Sequence, residues 1–388
     1  MSETAFSESE ERQALRAAVA DLGKRYGGEW FLKKARAGEK TAQLWDEAGK
    51  LGYLGVNVPE EYGGGGGNIG DLAAVAEELA AAGCGLLLMV VSPAICATII
   101  TRFGTEEQKQ TWLPRFADGS LRMAFAITEP DAGSNAHKLT TTARHDGDEW
   151  VLNGRKVFIS GVDEAEAVLV VGRSEDAKTG KLKPALFIVP TNTPGFEFQP
   201  IEMDIVSPDK QFMLFLDDVR LPADALVGSQ DAALQQLFAG LNPERIMAAS
   251  FAIGSGRYAL SKAVEYTKTR QVWSTPIGAH QGVAHPLAVA KIELELAKVM
   301  TQKAAALYDS GDDLGAGEAA NMAKYAAAEA SIKAVDTAVQ VHGGNGLTAE
   351  YGLGAMVAAA RVNRIAPVSR EMILNFVAQN TLGLPKSY

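Results

Sequence analysis

"AFAITEPDAGSNAHKLTTTA", residues 124–143, is where the texture of the chain changes. Before it the pattern is helical: Leu15, Val19 and Leu22 recur at helical spacing, and "DLAAVAEELAAAG" is rich in strong helix formers. After it come short apolar runs bounded by turns, namely "EWVLNGRKVFIS", "AVLVV", "ALFIVP" and "QFMLFL", with Asn153-Gly154 reading as a hairpin signal. Beyond Pro243 the helical period returns, as at Ile332, Val335 and Val339, until the Gly343-Gly344 stop. An α, then β, then α order is not the alternation of a doubly wound parallel sheet. It predicts an α+β protein with an N-terminal helical domain over 1–121, a middle β domain over 122–235 and a C-terminal helical bundle over 236–388.

The junction itself crowds hydroxyls, acids and glycine into one irregular segment, which can offer N–H groups and hydroxyls to a polar ligand or simply form Asx and Ser/Thr turns. "QVHGGNG", from Gln340 to Gly346, brings glycine amides to a helix end, either for a close phosphate or as a C-cap followed by a turn. "YGGGGGN" lacks the Gly-Lys-Ser/Thr ending of a phosphate loop and reads as a flexible surface turn, while "GSGRYA" lies inside a predicted helix with no strand before it. Neither is a nucleotide fingerprint.

Composition narrows the function. Of 388 residues, 47% are hydrophobic and 22% charged, as in an ordinary soluble protein. The 37 basic and 47 acidic residues give a net charge of -10, which argues against nucleic acid and anionic membrane partners. Cys84 and Cys96 cannot make a disulfide framework, and the five histidines show no zinc-finger spacing, so a reducing compartment and no structural metal are expected. "MSETAFSESEERQ" has neither the basic nor the apolar region of a signal peptide, which predicts a cytoplasmic protein. "GLLLMVVSPAICATII", from Gly85, is shorter than a membrane span and is interrupted by Ser92 and Pro93, so it reads as buried helix.

One carboxylate stands out. In "LNPERIMAASFAIGSG", residues 241–256, Asn242 suits an N-cap, Pro243 a first helical position and Glu244 an acidic first turn. Helix initiation accounts for the whole stretch, and so would a catalytic role for Glu244.

Five segments, in order and at matching distances, resemble the acyl-CoA dehydrogenase family: "LGYLGVNVPEEYGGGGG", "FGTEEQKQTWLPRFADGSLRMAFAITEPDAGSN", "NGRKVFISG", "TRQVWSTPIGAHQGVA" and "QVHGGNGLTAEYGLG". The resemblance covers nearly the whole chain and implies that family's fold, FAD as cofactor and an oxidoreductase of lipid and fatty acid metabolism. By resemblance Phe125, Ile127, Thr128 and Gly133 line the flavin, Ser134 touches cofactor and pantetheine arm, Phe158 stacks near the flavin, and Ser160 lies near N5. Arg270, Gln281, Gln340, Gly343 and Gly344 would hold pyrophosphate and adenosine, some from a neighbouring subunit, in a homo-oligomer that the family implies is a tetramer. Ser369 and Glu371 would meet the adenosine part, and Asn242 and Arg245 would join Ser134 at the substrate.

The chain departs from the family pattern at Asn135, at Trp273-Ser274 and in "APVSRE", where Pro367 stands at the position many members give to the catalytic glutamate. The isovaleryl and long-chain types carry that glutamate on an earlier helix, before an arginine, which Glu244-Arg245 matches. The implied reaction is α,β-dehydrogenation of an acyl-CoA to the trans-2-enoyl-CoA, with Glu244 as α-proton base, flavin N5 as hydride acceptor and an electron-transfer flavoprotein as electron acceptor. Such a base works best with its pKa raised by burial, against the pull of Arg245 and a helix N-terminus. Pro367 also removes a backbone N–H that the family aims at the thioester carbonyl, unless Val368 takes its place. An oxygen-using flavin oxidase or monooxygenase on the same fold, and a non-catalytic binding homologue, are the alternatives.

Overall fold

A computed structural model describes residues 8–175, 179–229 and 233–386. The N-terminal part is six helices: α1 (Glu10–Arg36), α2 (Ala42–Lys50), α3 (Ile69–Ala81), α4 (Leu88–Val91), α5 (Thr98–Phe103) and α6 (Glu106–Ala117). Asn68 starts α3 with a capping box, its side chain accepting from the Asp71 N–H while its own N–H donates to the Asp71 carboxylate. The glycine run before it is a bonded turn. Gly65, Gly66 and Gly67 donate to the carbonyls of Gly55, Val58 and Val56, and a Cβ on Gly64 would sit 2.2 Å from the Val58 oxygen. Only glycine fits that approach. The apolar segment from Gly85 is buried as expected, with a π-helical turn over Ser92–Ala97 joining α4 to α5.

Seven strands follow: β1 (Met123–Ala126), β2 (Thr142–Asp146), β3 (Glu149–Ser160), β4 (Ala167–Glu175), β5 (Leu182–Pro190), β6 (Phe196–Ile201) and β7 (Gln211–Pro222). β4 pairs antiparallel with β5 along one edge; its other edge takes β1 and then β2, both parallel. β3 pairs antiparallel with β2 and β7, and β7 with β6. Asn153-Gly154 is not a hairpin turn. It lies inside β3 at a bulge against β7, and a Cβ on Gly154 would meet the Thr141 hydroxyl at 2.4 Å, so this glycine serves a close approach. The turn between β2 and β3 falls at Gly147, whose φ is 65°.

The C-terminal part comprises α7 (Ala233–Thr269), α8 (Gln281–Asp309), α9 (Asp313–His342), α10 (Leu353–Ile365) and α11 (Arg370–Phe376). α9 ends at Gly343, φ 58°, as the sequence predicts. α7 corrects the sequence reading: it already runs from Ala233, so Asn242 is no N-cap, Pro243 is inside the helix and Glu244 is well past the first turn. Proline there forfeits the bond to the Ala239 carbonyl. The Tyr308 hydroxyl of α8 donates to that carbonyl at 2.9 Å and restores the loss.

The first and last helical parts share one core, in which Leu22, Leu72 and Leu79 meet Ile246, Ile253, Leu294 and Val335. Arg16 on α1 and Arg257 on α7 both bridge Glu77 and Glu78 of α3. A second core lies under the junction, with Ile95, Ile99, Phe125, Leu169 and Leu237, and a third inside the sheet around Trp150 and Phe187.

Candidate active site

The junction loop is pinned by a buried ion pair. Glu129, 3% exposed, accepts from the Thr140 N–H and hydroxyl at 2.7 Å, the Thr141 N–H at 2.9 Å and Lys156 Nζ at 2.9 Å. Lys156, fully buried on β3, also donates to the Ile127 carbonyl at 3.0 Å and the Val171 carbonyl at 2.6 Å. Burial alone would raise the Glu129 pKa, but hydrogen bonds from Thr141 and Thr140 and the Lys156 charge outweigh it and hold the carboxyl at about 2. Sequence reasoning passed over both residues. The signal was there: Lys156 sits on the inward face of a strand, where a lysine needs a partner.

This clamp sets the edge of the open face. The Val157 N–H donates to the Thr128 carbonyl at 3.0 Å, and the next residue, Phe158, takes φ 57° at an irregularity between Lys156 and Ile159. A bulge re-aims a strand side chain, and here it leaves the Phe158 ring 56% exposed beside half-buried Ile127 and Thr128. Phe125 is buried beneath them, and Gly133 and Ser134 are exposed, with open space where a Gly133 Cβ would stand. Ser160 ends β3 and exchanges hydrogen bonds with the Gln211 amide at 3.0–3.1 Å.

Glu244 approaches the same region from α7. Its charge is felt by Cys96 of the π-helical turn, whose thiol is 3.6 Å from the Ala124 carbonyl oxygen of β1 and is pushed up by burial and by Glu244. Burial raises the Glu244 carboxyl to about 7, with Arg245 and Lys324 pulling the other way. No helix N-terminus opposes burial, because none is there. Arg245 donates to the Leu241 carbonyl and to Asn242 Oδ1 at 3.1–3.2 Å, its Nε is buried without a partner, and burial pushes its pKa down. Asn242 is held by the Asp313 carbonyl at 3.2 Å.

Ser369 caps α11 by accepting from the Met372 N–H, Glu371 is exposed in its first turn, and the Val368 carbonyl accepts from Lys324 Nζ at 2.5 Å. The other set lies elsewhere. Arg270 just past α7, Gln281 opening α8, and Gln340, Gly343 and Gly344 ending α9 are all exposed at one end of the bundle. There Tyr266 stacks on His342 at 4.1 Å and accepts from Asn345 at 3.1 Å. From Lys324 to Gln340 along α9 is about 24 Å at the helical rise, so this end of one chain is remote from that chain's own Val368 segment. Among the described residues no group of three or more His, Cys, Asp or Glu could hold a metal ion, and no helix is long and apolar enough to cross a membrane.

Family models match the chain in three consecutive pieces: the N-terminal domain of acyl-CoA dehydrogenase over residues 9–120, the middle domain over 124–219 and the C-terminal domain over 234–382. The chain belongs to the acyl-CoA dehydrogenase family. It is 71% identical, over the full length of both chains, to acyl-CoA dehydrogenase FadE12 of Mycobacterium tuberculosis. Among solved structures it is similar to a chain of the electron transferring flavoprotein structure from Acidaminococcus fermentans, at 29% identity and TM-score 0.92, covering 98% of this chain and 100% of that one. It is also similar to a glutaryl-CoA dehydrogenase of Mycobacterium smegmatis in complex with FADH2, at 27% identity and TM-score 0.88, covering 98% of this chain and 97% of that one. FAD is the cofactor of this acyl-CoA dehydrogenase fold. The residues present fit it: an aromatic ring held out by an unusual backbone, a threonine beside it and an unobstructed glycine suit the face and polar edge of a flavin.

Proposed function

We propose that this acyl-CoA dehydrogenase converts an acyl-CoA thioester to its trans-2-enoyl thioester with Glu244 as the base. The observation that carries the reading is a half-buried carboxyl on α7, raised to about 7 by desolvation, whose charge acts on Cys96, the thiol beside the Ala124 carbonyl of β1. A general base is most effective with its pKa near the working pH. Glu244 takes the α proton, the electron pair of that C–H bond becomes the new C=C bond, and the β hydrogen leaves with its own pair. Bound FAD supplies the acceptor for that hydride. Phe158 would pack against the flavin, Phe125, Ile127, Thr128 and Gly133 would line it, and Ser160, oriented by Gln211, would lie near the hydride-accepting position. Ser134 receives the pantetheine arm, and Asn242 and Arg245 border the acyl group. Pro367 presents no N–H, so Val368 is the nearest backbone donor for the thioester carbonyl.

Arg270, Gln281, Gln340, Gly343 and Gly344 would hold the pyrophosphate and adenosine of a neighbouring subunit's cofactor, while Ser369 and Glu371 would serve the cofactor of their own chain. Their exposure and the length of α9 support that division. α8 supports an assembly too, with Ile292, Leu296 and Val299 exposed on one side and a groove of about 1360 Å³ along α8, α9 and α10. A homotetramer in the cytoplasm, passing electrons to an electron-transfer flavoprotein in fatty acid metabolism, completes the reading.

The test is anaerobic stopped-flow bleaching of the yellow protein by a panel of acyl-CoA thioesters. Glu244→Gln should slow flavin reduction by about 10³-fold or more with FAD still bound, the scale of losing an essential base, and Glu371→Gln should not. The reverse pattern would move the base to Glu371. Flavin reoxidised by oxygen faster than by an electron-transfer flavoprotein would favour the oxidase reading.

A further inference from the structure

Pro243 leaves a fault in α7 one residue before Glu244. A proline inside a helix has no N–H to give, and its ring crowds the carbonyl one turn back. That carbonyl belongs to Ala239, a buried residue, so it needs a donor from within the protein. The donor comes from another helix. The Tyr308 hydroxyl, near the end of α8 and itself buried, reaches the Ala239 oxygen at 2.9 Å.

That hydroxyl is held in turn. Arg102 Nη1 of α5 donates to Tyr308 Oη at 3.1 Å, which leaves the hydroxyl proton for Ala239, and the Asp313 carboxylate at the start of α9 accepts from both Nη atoms of Arg102 at 2.9–3.2 Å. Asp313 serves the same stretch of α7 a second time. Its carbonyl accepts from Asn242 Nδ2 at 3.2 Å, and Asn242 Oδ1 accepts from Arg245 Nη1 at 3.1 Å. Two routes from one residue thus close on either side of Glu244, one at Ala239 and one at Arg245. The Arg102–Asp313 pair is partly exposed, where an ion pair adds little to stability. Its consequence is geometric: it aims the tyrosine.

We propose that Tyr308 is a positioning residue for Glu244: by returning to Ala239 the hydrogen bond that Pro243 removes, it fixes the helical turn that carries the base. The proposal rests on the reading of Glu244 as the α-proton base. Helices kink at proline where the ladder is broken, and Glu244 is the first residue beyond this break. With the hydroxyl in place the break is bridged from outside, and the turn keeps one geometry. Without it the Ala239 carbonyl loses that donor, α7 settles to a different bend at Pro243, and the carboxyl moves with it. A shift of about 1 Å in a reacting group is enough to cost about 10²-fold in rate, so a smaller shift is still measurable.

The experiment compares wild type with Tyr308→Phe, which loses only the hydroxyl, with Pro243→Ala, which gives α7 its own N–H back, and with the two combined. Anaerobic flavin reduction is followed against the concentration of whichever acyl-CoA bleaches wild type fastest, alongside FAD content and melting temperature. Tyr308→Phe should lower the limiting rate about tenfold while keeping its FAD and its half-saturating substrate concentration. A tyrosine that only stabilised the fold would lower the melting temperature and leave the rate per bound flavin unchanged. In the combined variant Pro243→Ala should bring the rate most of the way back, because the bond to Ala239 is again made within the helix, and the melting temperatures should depart from additivity by about 1 °C or more. A wild-type rate in Tyr308→Phe, or a loss that Pro243→Ala leaves untouched, would overturn the proposal. Non-additive melting combined with a fully active Glu244→Gln would instead sink the base assignment and leave the Tyr308–Pro243 coupling standing. Should Tyr308→Phe fail to fold, Arg102→Met, which removes the donor that aims the hydroxyl, takes its place against the same outcomes.

Discussion

A carboxyl that ionises at about 7 inside a helix has a thermodynamic signature separate from its chemistry. The folded state of Glu244 holds its proton well above the 4.5 of an unfolded glutamate. The folded form therefore binds more protons between those values, and stability falls as pH rises from 4.5 through about 7. Above that, the ionised side chain is a standing cost. Glu244→Gln removes it, so the variant should match wild type near pH 4 and exceed it at pH 8 by about 1–3 kcal/mol, a range lowered for the partial exposure of the site. Urea melts at the two pH values check this. A variant less stable at pH 8 would mean that the carboxylate is a structural partner of Arg245. The pairing of Glu244 with Arg245 was legible in the sequence, but the winner between burial and positive charge was not. That depended on α7 beginning before Asn242, which removes the helix-end charge from the balance.

Elements whose signals are local were legible, and those that depend on remote partners were not. The α, β, α order, the strand runs and the end of α9 each follow from periodicity or a glycine within the element itself. The start of α7 was misread because a tyrosine on α8 replaces the hydrogen bond that Pro243 forfeits. Asn153-Gly154 was misread because the glycine makes room for Thr141, a strand away. The Glu129–Lys156 clamp escaped notice for the same reason: its two halves lie on different elements, and only folding shows that both are buried. Breaking that clamp makes a prediction at this scale. Glu129→Gln strands the Lys156 ammonium beneath the flavin loop and should cost about 3–5 kcal/mol, with FAD lost before the chain unfolds. Combining it with Lys156→Met removes the stranded charge and should restore most of the stability. Because Glu129 is held at about 2, below the 4.5 of an unfolded glutamate, its contribution is intact above pH 4.5 and fades as pH falls toward 2. Urea melts and flavin content across acid pH read both effects; equal destabilisation in single and double variants would count against the clamp.

At the scale of the whole molecule, the described chain carries two incomplete surfaces. One is the apolar side of α8, where Leu296 is 66% exposed along with Ile292 and Val299, more bare aliphatic surface than a helix keeps in water without a partner. The other is the exposed set at the end of α7 and α9, where Arg270 and Gln340 lie remote from their own chain's Val368 segment. If a second copy covers the first surface and uses the second, assembly and cofactor retention are linked, and each can be broken from either side. Leu296→Asp places a charge in the apolar face and should shift the protein to smaller species in sedimentation velocity, with FAD lost as the subunits part. Arg270→Ala touches no apolar surface, yet should lower FAD content first and loosen the assembly second if, as proposed, the pyrophosphate it would grip belongs to the neighbour. Added FAD should then slow the dissociation of Leu296→Asp, since a ligand bound across an interface stabilises the assembled state by mass action. Leu296→Asp that dissociates while keeping its full FAD content would show that each chain holds its cofactor alone, and the division of residues between subunits would be wrong.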